Sequence, residues 1–211
     1  MNYRNTLIII IIYFSSHYQC IGQFQFEVIY DGYISSITNK IVDLETPRYT
    51  QKVAVFTEYP IVQNKLFVGS GLGFLQTGNR SFSDFGDQGF IKSIKFVDNY
   101  NYVFIPTRLK YSIRNFLFIG SIDHNFNIGG STISVRVNQD DSVQRDKDEV
   151  NIIGGSIGGY LAVFDLGVYY TIFDHFILGV KGMHSLNQVV VGVPRDNKVR
   201  GVGMSLGYKF N

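Results

Sequence analysis

"VRGVGMSLGYKFN", residues 199–211, alternates at almost every step. Val202, Met204, Leu206, Tyr208 and Phe210 form one set, and Gly201, Gly203, Ser205, Gly207 and Lys209 form the other. Side chains alternate across a strand with period two, so the stretch reads as a β-strand with one large apolar face and one narrow, polar face. A soluble sandwich would turn the apolar face onto a core. A sheet closed on itself and surrounded by hydrocarbon would turn it outward, leaving the glycines and the lysine inside. The rest of the chain separates these two readings.

The same alternation recurs upstream. Strand-like stretches run over Gln23–Ser35, Tyr49–Tyr59, Lys65–Gly78, Asn99–Ser112 and Phe116–Val137. A sixth ends near Thr171, a seventh spans Phe176–Val189, and the closing stretch makes eight. In the third, Leu66, Val68, Leu72 and Phe74 oppose Gly69, Gly71 and Gly73. The connections alternate in length. "PIVQN", "IRN" and "FDH" are tight turns, while "SITNKIVDLETPR", residues 79–98, "NQDDSVQRDKDE" (Asn138–Glu149) and "GVPRDN" (Gly192–Asn197) are long. A sandwich gives no reason for such regularity. An even-stranded outer-membrane barrel does, with short periplasmic turns and longer extracellular loops, and its tilted strands need only about 9–11 residues each. The expected fold is therefore all-β: an eight-stranded antiparallel up-and-down transmembrane β-barrel.

Composition agrees in most respects. The chain has 211 residues, enough for one domain, and its net charge of +2 gives no electrostatic case for nucleic acid. Beyond the N-terminus no apolar run approaches the length of a membrane helix. Glycine (22), phenylalanine (18) and tyrosine (14) are abundant and proline (4) is scarce, as a sheet with aromatic belts requires; the lack of tryptophan departs from that pattern.

The N-terminus reads as a signal peptide. Arg4 supplies a positive start, "TLIIIIIYF" (Thr6–Phe14) a short apolar segment, and Cys20 and Gly22 the small residues before a cleavage site. Cleavage is expected between Gly22 and Gln23, dividing the chain into a signal peptide, 1–22, and a barrel, 23–211. A lipidated Cys20 is the competing reading, and His17, Tyr18 and Gln19 suit it poorly. Cleavage after Gly22 removes the only cysteine, so no disulfide framework is expected.

With the large apolar residues outward, Glu27, Glu58, Arg108, Lys110, Asp165, Lys181 and Lys209 point inward together. Eight strands enclose a lumen that side chains just fill, so these charges are expected to form a hydrogen-bonded polar network that plugs the barrel. A proton or small-solute path through the same residues is the lesser reading. Other chemistry is thin. His124, beside Asp123 and near Ser121, is a weak candidate for a hydrolase, and His175 and His184 are too scattered for a metal site. "IIGGSIGGY" (Ile152–Tyr160) lacks the spacing of a phosphate cradle, and "DDSVQRDKDE" lacks the glycine of an EF-hand. No catalytic, cofactor or metal site is expected. Pro106 cannot donate to a ladder, so a bulge is expected there.

Three of these stretches carry a family resemblance. "NYVFIPTRLKY" (Asn101–Tyr111) resembles the "YLEIPLLLKY"-type strand of Bacteroidota outer-membrane β-barrel proteins of the PorT/porin-like family, barrels of the OmpA/OmpX type. "KLFVGSGLGFLQTG" resembles that family's glycine-rich third strand, and "GVGMSLGYKF" its last. Phe104 stands where the pattern has glutamate, and Asn211 follows the terminal aromatic. The resemblance implies an insertion signal in Leu206, Tyr208 and Phe210, read by the barrel-assembly machinery. It implies outer-membrane lipid as surroundings, and an envelope protein partner, of a secretion or motility apparatus, met through the loops. The role expected is non-enzymatic recognition, adhesion or docking in the outer membrane of a Gram-negative bacterium. The alternative from another class is a soluble, lipocalin-like barrel binding an apolar ligand.

Overall fold

The computed structural model describes residues 24–38, 47–86, 90–150, 159–187 and 198–210. The expected signal peptide, its cleavage site and the "GVPRDN" connection lie outside these residues. Nine strands follow in order: β1 (Gln25–Thr38), β2 (Arg48–Val62), β3 (Leu66–Asp84), β4 (Ile91–Ile113), β5 (Phe116–Asn138), β6 (Val143–Val150), β7 (Tyr160–Ile172), β8 (Phe176–Ser185) and β9 (Lys198–Phe210).

Neighbours in the sheet are antiparallel, and the ring closes where β1 pairs with β9, from Phe26 opposite Phe210 to Thr38 opposite Lys198. Eight staves make that ring. β6 pairs with the upper half of β5, from Gly130 to Val137, whereas β7 pairs with its lower half, from Phe116 to Phe126. The two short strands are thus successive parts of one stave. Closure leaves the barrel wall without a free edge.

Burial follows the period of two. Glu27, Ile29, Asp31, Tyr33 and Ser35 of β1 are buried, while Phe26, Tyr30 and Ile34 between them are exposed. The inward face is not merely narrow. The ring of Phe104 occupies the space a Cβ at Gly73 would need, Tyr169 fills that of Gly179, and Tyr33 that of Gly203. Glycines on one stave therefore make room for aromatic rings from others, and the lumen is packed.

Two of the expected long loops are largely strand. β3 continues to Asp84 and β4 begins at Ile91, so most of residues 79–98 is a hairpin; Val143–Val150 within the charged third loop is paired to β5. The physical reason is that both faces of these extensions lie beyond the barrel. Charge there marks a solvated edge strand as readily as a loop. The upper parts of β3, β4, β5 and β6 together form a four-stranded sheet standing on one side of the mouth.

Pro106 also differs from expectation. Register runs unbroken across it, with Ser70 opposite Thr107 and Gly73 opposite Phe104; only the rungs at Gly71 and Leu72 are missing. The β4–β5 register breaks instead at Asn101/Tyr102, where Ile128 is the extra residue of β5, and at Ile91/Ser93, where Lys92 is the extra residue of β4.

Candidate functional site

The lumen holds two ionic groups built on one plan. In the lower group, Arg108 meets Glu27 at 2.9 Å and Glu58 at 3.2 Å, and Lys110 meets Glu27 at 2.6 Å and also Glu58. In the upper group, Lys52 contacts Asp123 and Asp165, while Lys181 meets Asp31 at 2.7 Å and Asp165 at 3.3 Å. Each cation also lies against an aromatic ring: Arg108 4.4 Å from the Phe56 centroid, Lys110 4.7 Å from Phe67, Lys52 4.7 Å from Phe104, and Lys181 5.2 Å from Tyr33. Each of these four cations thus has two carboxylates and one π-face. Burying a charge is costly unless it is so compensated, and ring faces supply attraction where a third polar partner would not fit.

Of the residues named from the sequence, six come together here: Glu27, Glu58, Arg108 and Lys110 below, Asp165 and Lys181 above. Lys209 does not join them. It is half-buried at the lower mouth of the barrel, beside Gln25, Arg114 and Asp174 in a polar vestibule. The strand-end position that gives Lys209 inward parity also puts it below the closed part of the wall. Sequence reasoning passed over Asp31, Lys52 and Asp123. Their signal was available, since Asp31 shares parity with Glu27, and Lys52 with Glu58.

Alternation also separates the weak catalytic set. Ser121 and Asp123 are buried in the lumen, whereas His124 lies on the outer wall with Nδ1 2.7 Å from the Tyr160 hydroxyl. His175 stacks on Tyr208 at the lower end, and among the described residues no cluster suits a metal ion.

The outer wall is apolar and banded. Tyr49 and Tyr59 on β2, Phe116 and Phe126 on β5, and Tyr160 and Tyr170 on β7 are exposed aromatics, each pair ten residues apart along its strand. At the lower end Phe116 meets Tyr170 edge-to-face at 5.2 Å, Tyr208 meets Phe176 and Phe210 likewise at 5.3 and 4.9 Å, and Tyr59 lies tilted against Phe24 at 5.6 Å. Leu206, Tyr208 and Phe210 all face outward. Near the upper ring a ladder of amides crosses three strands, Gln51 donating to Gln76 at 2.8 Å and Gln76 to Asn101 at 3.2 Å. Above it Arg48 binds the Asp98 carbonyl and the Asn99 side chain, and Thr132 donates to Asp98 at 2.8 Å. Burial raises the Asp98 carboxyl above the ordinary range, against the opposing pull of Thr132, Tyr100 and Arg48.

No family model and no curated protein matches this chain. Among solved structures it is similar to Ail, the attachment invasion locus protein of Yersinia pestis, at 10% identity and a TM-score of 0.41 over 89% of this chain and 97% of that one. Neisserial surface protein A is similar at 7% identity and a TM-score of 0.43, covering 89% and 97% of the two chains. The N-terminal β-barrel domain of Pseudomonas aeruginosa OprF gives 9% identity and 0.35, over 87% and 97%. These are likenesses of strand arrangement at low identity, and the closed ring of this chain rests on its own pairing.

Proposed function

We propose that this chain is an integral outer-membrane barrel with a plugged lumen, non-enzymatic, whose four-stranded extension presents a docking surface to an envelope partner. The observation that carries the membrane reading is the spacing of the aromatic rings. Ten residues at ~3.3 Å rise, tilted by about 40°, span roughly 25 Å, the height of the apolar band of an outer-membrane barrel. Between those rings the outward side chains are mostly apolar, interrupted by Thr57, Ser70, Thr107 and His124, with Val55, Leu72, Leu166 and Leu206 all more than half exposed. Such a surface is a poor one for water and a good one for lipid.

The docking part of the reading follows from what the lumen is not. Among the described residues it holds four compensated cations and several rings, an arrangement that suits a plug better than an apolar ligand cavity or a conduit. Interaction then falls to the exposed extension. The resemblance of Asn101–Tyr111 to PorT-type strands favours a secretion or motility apparatus as the partner. The alternative of a soluble lipocalin-like carrier requires apolar residues inside, where Glu27, Arg108 and Asp165 are found.

The test is extraction. The chain is expected in the envelope fraction, released by detergent alone, with different gel mobility before and after boiling. Recovery in the soluble periplasmic fraction overturns the membrane reading.

A further inference from the structure

The extension has two unlike faces. β4 runs without interruption from the barrel wall into the extension, so its odd-numbered residues continue the lipid-facing side and its even-numbered residues continue the lumen side. On the lumen side stand Asp98, Asp146 and Asp148 against the single exposed Arg136, with Asp98 and Thr132 hydrogen-bonded to one another and Arg48 bound to the Asp98 carbonyl. On the lipid-facing side, register aligns Phe82, Lys95, Val135 and Arg145 in one row and Val97, Ile133 and Lys147 in the next. Arg80, which has contacts of its own, stands in that second row, and Asp84 shares this face only at its outer end. Among the described residues no salt bridge involves Lys95, Arg145 or Lys147, and Arg145 and Lys147 are exposed.

Position makes this basic face informative. The amide ladder at Gln76 and Asn101 marks the top of the apolar band. Lys147 lies in the row of Arg80, four residues above Gln76, and Lys95 is six residues above Asn101. At ~3.3 Å per residue and a tilt of about 40°, the two rows stand about 10 and 15 Å above that border. Their side chains therefore overhang the outer leaflet, on the side where lipid headgroups lie.

We infer that the lipid-facing side of the extension binds the phosphate groups of an outer-leaflet glycolipid, with Lys95, Arg145 and Lys147 as the cations and Phe82 and the neighbouring valines set against the sugar and acyl boundary. This rests on the outer-membrane reading above. Charge complementarity selects the ligand: phosphate is the anion a lipid surface offers at that height. Arginine suits it with paired donors and lysine as a point charge. The acidic opposite face would be repelled from the same surface, which sets the direction in which the extension leans.

The test uses the full mature chain reconstituted in phosphatidylcholine vesicles, with and without bis-phosphorylated lipid A, compared with K95Q/R145Q/K147Q and with R136Q on the lumen-side face. Polybasic attraction of about fivefold per residue predicts about a hundredfold weaker association of lipid A with the triple variant. It predicts no change for R136Q, and loss of the preference when lipid A is dephosphorylated. Equal binding by the triple variant, an equal loss in R136Q, or indifference to dephosphorylation overturns the inference while leaving the barrel in the membrane. Tighter binding of soluble polyglutamate than of lipid A overturns it in favour of an acidic protein. Failure of the wild-type chain to enter vesicles, read by the boiling-dependent mobility shift, overturns the membrane reading and this inference together.

Discussion

Arg108 and Glu27 meet at 2.9 Å although their strands are not neighbours; β2 and β3 stand between them in the ring. The pair therefore crosses the lumen rather than running along the wall. Together with Glu58 and Lys110 it ties three staves from the inside, at a level where the wall has hydrogen bonds only between adjacent strands.

Removing Arg108 should cost stability and open nothing. Arg108→Leu leaves Glu27 and Glu58 sharing Lys110 alone, and breaking a buried pair costs about 3–5 kcal/mol. Unfolding of the purified barrel in detergent reads the loss. Liposome swelling with small sugars is expected to stay at background, because Phe56, Tyr169 and Ile119 still fill the section. A rise in sugar flux would sink the plug and favour a path.

The upper group has three carboxylates, Asp31, Asp123 and Asp165, and two cations, Lys52 and Lys181. Losing one carboxylate leaves each lysine a partner. Losing one lysine leaves three carboxylates around a single cation. Asp123→Asn should therefore be mild and Lys52→Met severe, the latter by about 3–5 kcal/mol. Comparing the two midpoints of thermal unfolding checks the order, and the reverse order would contradict the pairing described.

Gly179 and Gly182 make a matched pair on one strand. A Cβ at Gly179 would overlap the Tyr169 ring inside, whereas one at Gly182 would find its nearest neighbour, the Gly201 carbonyl, at 3.8 Å. Overpacking a filled interior costs roughly 1–3 kcal/mol, so Gly179→Ala should unfold earlier and Gly182→Ala should not. Equal behaviour of the two would mean that the lumen is not packed as described.

The extension should be dispensable for folding. Asn79 and Asp98 face each other across the β3–β4 hairpin, so joining them directly removes residues 80–97 while keeping the rungs below. The shortened chain is expected to keep its boiling-dependent mobility shift and to lose partner docking. Loss of the shift itself would assign the hairpin a part in assembling the barrel.

Reading the sequence went furthest where one physical rule acts alone. Period-two alternation in Val199–Phe210, and the glycine run Gly69–Gly71–Gly73, follow from strand geometry and needed no partner to be read. Where two rules compete, reading failed. "NQDDSVQRDKDE" has loop composition, yet half of it pairs with β5, because nothing in a short charged segment says whether a neighbouring strand will reach it. Pro106 shows the same limit: its missing donor is plain, but whether the ladder bulges or merely loses rungs depends on the strand beside it.

The sequence by itself determined that these strands have one large apolar face and one narrow, polar face, with most of the glycines and the charges sharing the second. Only the tertiary structure decided which charges meet. Glu27, Arg108, Lys52 and Asp165 belong to four different staves, and their contacts depend on the stagger that ring closure imposes between strands far apart in the chain. Pairing between neighbouring strands, by contrast, sets Tyr169 over Gly179 and aligns Lys95, Arg145 and Lys147 on one face of the extension. Alternation gives each residue a side of the wall; its height and its neighbours across the lumen exist only once the ring is shut.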